Sequence, residues 1–108
     1  MSGPEEKQVG QIMRFLAEIG AKAIRTHSPI PGRRVPYKAG TPDIIACFRG
    51  RCVALEVKSG RGATTDAQDT ELAIWRRAGA TTAVVRDVRE VAVALGITTD
   101  KLSDVRDH

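Results

Sequence analysis

The sequence predicts a single mixed α/β domain with its elements in the order α–β–β–β–α–β–α. Its 108 residues are enough for one domain with one core. Hydrophobic residues make up 42% of the chain and charged residues 28%, a balance typical of globular proteins. Apolar residues recur at helical spacing in some segments and form short β-branched runs in others. Strand runs interleaved with helical segments predict the α/β class.

The first helix is predicted from about Gly3 to Ile19, where apolar residues recur at helical spacing: Val9, Ile12, Met13, Leu16 and Ile19. Ser2 and Glu5 have the spacing of a capping box at its start, and Gly20 is expected to end it. A short strand follows over residues 21–26.

A loop is predicted over residues 27–41, which contain three prolines, two glycines and no periodic pattern. Loops of this length inside compact domains are commonly functional. Tyr37 and its basic neighbours are candidate phosphate contacts, namely Arg33, Arg34 and Lys38. A solvated loop is the alternative. His27 is not expected to be catalytic, although a contact with a nucleic acid is open to it.

The next two strands are predicted at Pro42 to Phe48 and Arg51 to Lys58, both rich in Ile, Val and Leu. Arg49 and Gly50 lie between them, and two residues suffice for a tight hairpin turn. This register places Cys47 opposite Cys52 and Asp43 opposite Glu56. The hairpin is therefore expected to bring two carboxylates together on one side of the sheet.

The remaining elements are a helix, a strand and a short helix. Thr65 and Gln68 form a second predicted capping box, which opens a helix that extends to Ala78. A strand over Thr81 to Val85 and a helix over Val88 to Leu95 follow. The tail, residues 96–108, is polar and is expected to be flexible.

Facing carboxylates repel one another unless a divalent cation lies between them. Oxygen ligands without Cys or His suit Mg²⁺ or Mn²⁺. Lys58 projects on the same side as Glu56, where it could orient a water or stabilise charge on a phosphate. These groups suffice for phosphodiester hydrolysis. A solvated strand end is the alternative, and a three-residue turn would move Asp43 away from Glu56.

The charge distribution points to a polyanionic partner. The net charge is +4, yet residues 22–61 alone carry nine bases and two acids. Such a basic block favours nucleic acid, with a merely solubilising surface as the alternative. No apolar run approaches a membrane span, so no membrane partner is expected and the chain is expected to be soluble and cytoplasmic. Cys47 and Cys52 fit neither a disulfide framework nor a zinc site, and are expected to be small buried strand residues.

Several segments together resemble the VRR-NUC family of the PD-(D/E)xK nuclease superfamily, in its stand-alone phage and bacterial form. They are Gly40-Thr41-Pro42-Asp43-Ile44-Ile45-Ala46, Glu56-Val57-Lys58-Ser59, Thr65-Asp66-Ala67-Gln68, Trp75, Ala78-Gly79 and Ala83-Val84-Val85-Arg86. The resemblance covers roughly residues 5–95. It implies a restriction-endonuclease-like fold, with a central mixed sheet flanked by helices, in one domain spanning residues 1–108.

The resemblance also implies a catalytic set: Asp43, Glu56, Lys58, Gln68 and Glu6. Asp43, Glu56 and the Val57 carbonyl would bind Mg²⁺ or Mn²⁺. Glu5 is the alternative to Glu6, because the resemblance requires only an acidic residue on the first helix. Gln68 has an alternative explanation as the capping-box partner, and both roles are open to it. Trp75 is expected to lie in the core rather than to stack on bases.

The function that this resemblance implies is a metal-dependent, structure-specific DNA endonuclease. Stand-alone members are similar to Holliday-junction resolvases, so a homodimer acting on four-way junctions is expected. The candidate DNA-binding residues are Arg33, Arg34, Lys38, Arg49, Arg51 and Arg61. The alternatives are a nuclease that acts on flaps, nicks or ends, and a non-catalytic nucleic-acid-binding module.

Overall fold

The computed structural model describes residues 3–27 and 38–97. Their elements follow the predicted order: α1 (Pro4–Glu18), β1 (Lys22–Arg25), β2 (Ile44–Phe48), β3 (Arg51–Val57), α2 (Asp66–Arg77), β4 (Thr81–Val85) and α3 (Val88–Leu95). The predicted α/β class and element order are confirmed. Within the described ranges, no helix has the length and apolar character needed to cross a bilayer.

The strands form one mixed sheet in the order β1-β2-β3-β4. The first three strands are antiparallel, whereas β4 runs parallel to β3, so α2 serves as the crossover between them. Arg49 and Gly50 have φ values of 52° and 78°, as a two-residue hairpin turn with two left-handed positions requires. Cys47 pairs with Cys52, which confirms the predicted register.

The hydrophobic core lies on one face of this sheet, under α1 and α3. Its buried members are Val9, Ile12, Phe15, Leu16, Ile44, Ala46, Phe48, Val53, Leu55, Val57, Val85, Val91, Ala92 and Leu95. Side chains alternate between faces along a strand, so Ile45 and Ala54 point to the opposite face. There α2 packs on β3 and β4. The second face is therefore covered at one side and open toward β1 and β2, where Ile24 and Cys47 are exposed.

Two predictions about local structure are wrong. Pro4 occupies the first helical position of α1, so the N-cap is Gly3, one residue after the position predicted for it. Cys47 and Cys52 are exposed rather than buried, because α2 covers the other side of their face. The box predicted at Thr65 and the predicted end of α1 at Gly20 are confirmed.

Several predictions concern residues outside the described ranges. Ser2 belongs to them, as do residues 28–37 with Arg33, Arg34 and Tyr37, and the tail from residue 98 onward.

Candidate active site

Asp43 and Glu56 lie side by side at the end of the hairpin remote from its turn. Asp43 immediately precedes β2, and its Oδ2 accepts a hydrogen bond of 2.8 Å from the backbone N–H of Val57. Glu56 lies on β3 and is only 2% exposed. The two carboxyl groups are close enough for Asp43 to influence the ionisation of Glu56, as the two-residue turn predicts.

The surroundings of Glu56 disfavour its negative charge. Burial is the main cause, the adjacent Asp43 carboxyl and its charge add to it, and together they raise the pKa of Glu56 to about 8. Lys58 opposes this shift and the charge of Glu5 contributes to it. Glu56 therefore holds a proton at neutral pH when no cation is bound nearby.

Gln68 makes both contacts that the sequence left open. Its Oε1 accepts from the backbone N–H of Thr65 at 2.9 Å, which completes the capping box of α2. Its Nε2 donates to Glu56 Oε2, also at 2.9 Å. One amide thus caps the helix and fixes one oxygen of the buried carboxyl, because its acceptor and donor ends point in different directions.

Gly40 brings the segment before Asp43 close to α2. Its φ is +87°, and a Cβ at this position would lie 2.4 Å from the carbonyl oxygen of Ala67 and 3.0 Å from the backbone nitrogen of Gln68. Only glycine permits this approach in this backbone conformation. The Gly-Thr-Pro-Asp segment therefore packs against the same helical turn that presents Gln68.

Lys58 follows β3 directly and continues its hydrogen-bond ladder with β4, since the Lys58 N–H donates to the Val85 carbonyl at 3.0 Å. Its side chain lies beside the turn at residues 59–62, where a Cβ on Gly62 would be 3.8 Å from its Cδ. Arg86 fixes this turn, because its guanidinium donates to the carbonyls of Gly60 and Gly62 at 2.9 and 2.7 Å. The sequence alone gave no role to Arg86.

His27 is a further neighbour of the site that the sequence did not predict. Its Nε2 lies 3.5 Å from Asp43 Oδ1 and 3.2 Å from the Thr41 carbonyl oxygen. The contact arises because β1 pairs with β2, so the end of one strand lies beside the start of the other. Only that long-range register, which no local pattern reveals, could have located His27 here.

The two acids at the start of α1 have different surroundings. Glu6, the residue chosen from the sequence, forms an ion pair and hydrogen bond with Arg25 of β1. Glu5 is exposed, and its charge contributes to the raised pKa of Glu56. Both therefore remain candidates, with Glu6 engaged elsewhere and Glu5 electrostatically connected to the site.

The donor set fits a hard divalent cation. Glu56 Oε1 is buried and has no hydrogen-bond partner among the described residues. A carboxylate pair with one unpartnered oxygen offers the kind of oxygen ligand that Mg²⁺ and Mn²⁺ prefer. In the described part of the chain, no group of three or more His, Cys, Asp or Glu side chains is placed to hold a metal. The Val57 carbonyl and water would therefore have to complete the coordination.

The candidate DNA-binding residues that the structure describes differ in whether their side chains already contact other groups of the protein. Lys38 lies 3.4 Å from Glu71 on α2, and Arg51 donates to the Leu95 carbonyl at the end of α3 at 3.0 Å. Arg49 lies over the Phe48 ring at the hairpin turn. That turn is roughly 20 Å from Glu56 at about 3.3 Å per strand residue. Arg61 is exposed in the turn beside Lys58.

Comparison with solved structures identifies the same fold in other proteins. One similar structure is described as a VRR_NUC domain, with a TM-score of 0.66 and 23% identity over 88% of this chain and 97% of that one. Another is the Hjc Holliday junction resolvase of Archaeoglobus fulgidus, with a TM-score of 0.56 and 22% identity over 75% of this chain and 66% of that one. No family model and no curated protein sequence matches the chain.

At this level of identity the likenesses establish the fold. The chain has the fold of VRR_NUC domains, so the resemblance found in the sequence is confirmed for its architecture.

Proposed function

We propose that this chain is a VRR-NUC nuclease: a divalent-metal-dependent DNA endonuclease that hydrolyses phosphodiester bonds. The observation that carries the proposal is the pairing of the buried Glu56 with Asp43, in which one Glu56 oxygen has no hydrogen-bond partner among the described residues. A protein that only binds nucleic acid gains nothing from facing carboxylates, which raise the free energy of the fold. The shared fold with a VRR_NUC domain and a junction resolvase supports the same conclusion.

Mg²⁺ or Mn²⁺ would be held by Asp43, Glu56 and the Val57 carbonyl, and would supply an acidified water and neutralise charge on the phosphate. The chain's own groups position this centre. The Val57 N–H holds one Asp43 oxygen, and Gln68 holds one Glu56 oxygen. The other Glu56 oxygen is thereby left for the cation.

Lys58 lies on the same side of the sheet as Glu56, close enough for its charge to lower the pKa of that carboxyl. Its ammonium would orient the attacking water or donate to a phosphate oxygen as negative charge develops. The turn at residues 59–62, held by Arg86, limits where the Lys58 side chain can lie.

The proposed substrate is a branched duplex, in particular the four-way junction, cut by a homodimer. A domain of 108 residues has little surface for reading a long base sequence, so recognition through phosphates and DNA shape is the better fit. A two-fold dimer would present one site to each of two symmetry-related strands. The solved resolvase with this fold supports the assignment.

The test uses a labelled four-way junction and a linear duplex of matched sequence, each with Mg²⁺, with Mn²⁺ and with a chelator. We expect paired incisions near the branch point that need the metal, and a dimer by light scattering. Equal cutting of the linear duplex would overturn the junction assignment. Cutting only of flaps, nicks or ends would support a different nuclease, and binding without any cutting would support the non-catalytic module.

A further inference from the structure

Cys47 and Cys52 form a directly opposed pair of exposed thiols on neighbouring strands. They are the chain's only two cysteines. Both lie on the open part of the sheet face that carries Asp43 and Glu56, four residue pairs further along the hairpin. Neither is needed for the hydrophobic core, since both side chains point away from it.

The hairpin geometry sets the distance between the two thiols. In a two-residue hairpin the residues flanking the turn, Phe48 and Arg51, form a hydrogen-bonded pair. Hydrogen-bonded and non-hydrogen-bonded pairs alternate along an antiparallel ladder, so Cys47 and Cys52 form a non-hydrogen-bonded pair. Such pairs have Cα atoms about 4.5 Å apart. A disulfide spans Cα separations of about 4.4–6.8 Å, so no strand has to move for the sulfur atoms to bond.

The charge beside the pair favours an anionic oxidant. Lys22 of β1 pairs with Cys47 across the ladder, so its side chain lies on the same face as both thiols. Lys22 is exposed, and its ammonium would raise the local concentration of a negatively charged disulfide such as oxidised glutathione.

We propose that Cys47 and Cys52 are a redox-active dithiol that reversibly forms a cross-strand disulfide by exchange with small-molecule disulfides. The thiolate of one cysteine attacks a sulfur of the oxidised disulfide, whose S–S bond breaks and releases one thiolate. The second cysteine then attacks the protein sulfur of this mixed disulfide and releases the other thiolate. Two electrons pass from the protein to the small molecule, and the two cysteine protons end on the released thiols.

This modification site is separate from the proposed hydrolysis of DNA, and its test does not use nuclease activity. The full chain is equilibrated in buffers with different ratios of reduced to oxidised glutathione. It is then quenched with acid and alkylated, and its intact mass is measured by mass spectrometry. We expect conversion to a species that has lost two hydrogen atoms and takes up no alkylating agent. The fold holds the sulfur atoms together and so favours the disulfide. We therefore expect the folded chain to be half-oxidised in a buffer at least about tenfold more reducing than the buffer that half-oxidises the same chain in urea.

Matched variants separate pairing from simple thiol exposure. Cys47→Ser should accumulate one glutathione adduct and form no disulfide within the chain, and Cys52→Ser should do the same. Lys22→Gln should slow oxidation several-fold at low salt and leave the half-conversion ratio unchanged. Two separate glutathione adducts on the native chain, or a half-conversion ratio equal to that in urea, would overturn the proposal. An unchanged oxidation rate in Lys22→Gln would show that Lys22 does not attract the oxidant.

Discussion

Replacing Glu56 by glutamine should stabilise the metal-free protein while removing its proposed activity. The wild-type carboxyl is buried beside Asp43, and its pKa is raised to about 8. Ionising it in the folded state is therefore costly, whereas the unfolded chain ionises near the ordinary value of 4.5. A neutral amide of the same shape avoids this cost, and it can still accept from Gln68 and donate to Asp43.

The sign and size of the effect follow from proton linkage. A pKa that is higher in the folded state means that the folded state binds the proton more tightly, so stability falls as pH rises from 4.5 toward 8. At about 1.4 kcal/mol for each unit of separation, the loss is complete above pH 8 with a ceiling of roughly 5 kcal/mol. Between about pH 5.5 and about pH 8.5, the change is about 3 kcal/mol.

The assay is urea unfolding of both proteins in a chelating buffer at these two pH values. We expect the wild type to lose about 3 kcal/mol more than Glu56→Gln between them. Glu18→Gln is the matched control, because Glu18 is exposed at the end of α1 and should show the wild-type pH dependence. Added Mg²⁺ should restore stability to the wild type at the higher pH and not to Glu56→Gln. Parallel pH profiles for the wild type and Glu56→Gln would refute the reasoning.

Three further predictions concern the groups around this carboxyl. Lys58→Ala should lower metal-dependent cleavage by about a thousandfold or more and leave junction binding intact, as single-turnover cleavage and gel-shift titration would show; retained cleavage would contradict the mechanism. Gly40→Ala should destabilise the fold by about 2–4 kcal/mol, because its Cβ would lie 2.4 Å from the α2 backbone. Gly10→Ala, whose Cβ would meet no described atom within 4 Å, should stabilise it by about 0.5–1 kcal/mol in the same melts. Gln68→Ala should weaken Mg²⁺ binding by about 10–100-fold in a calorimetric titration. Thr65→Ala is the control, because it should remove only the helix cap, at a cost of about 1 kcal/mol of folding stability. Equal Mg²⁺ affinity in the two variants would show that Gln68 is only a cap residue.

Much of the fold was predictable because its signals are local. The hairpin turn needs two residues with positive φ, and Arg49-Gly50 between two apolar runs indicates both the turn and the register. That register predicts which strand residues face each other, and so predicts the pairing of Asp43 with Glu56. The capping box at Thr65 is equally local, since all its contacts fall within one helical turn.

The start of α1 shows where such local reasoning fails. Two overlapping signals compete there, a Ser-to-Glu spacing and a proline suited to the first helical position. The backbone follows the proline, so the cap falls on Gly3. Two local patterns can thus compete at one helix start, and their spacing alone does not decide which of them the backbone follows.

The sequence by itself determined the order of the elements, the hairpin register and the chemical identity of the carboxylate pair, because each depends on neighbours within about twenty residues. Only the tertiary structure decided that His27 lies beside Asp43, that Arg86 holds the turn after Lys58, and that the two thiols are exposed. These contacts depend on which strand pairs with β2 and which part of the sheet α2 covers. Such choices are made by packing between distant segments, and no periodicity or spacing within one segment records them.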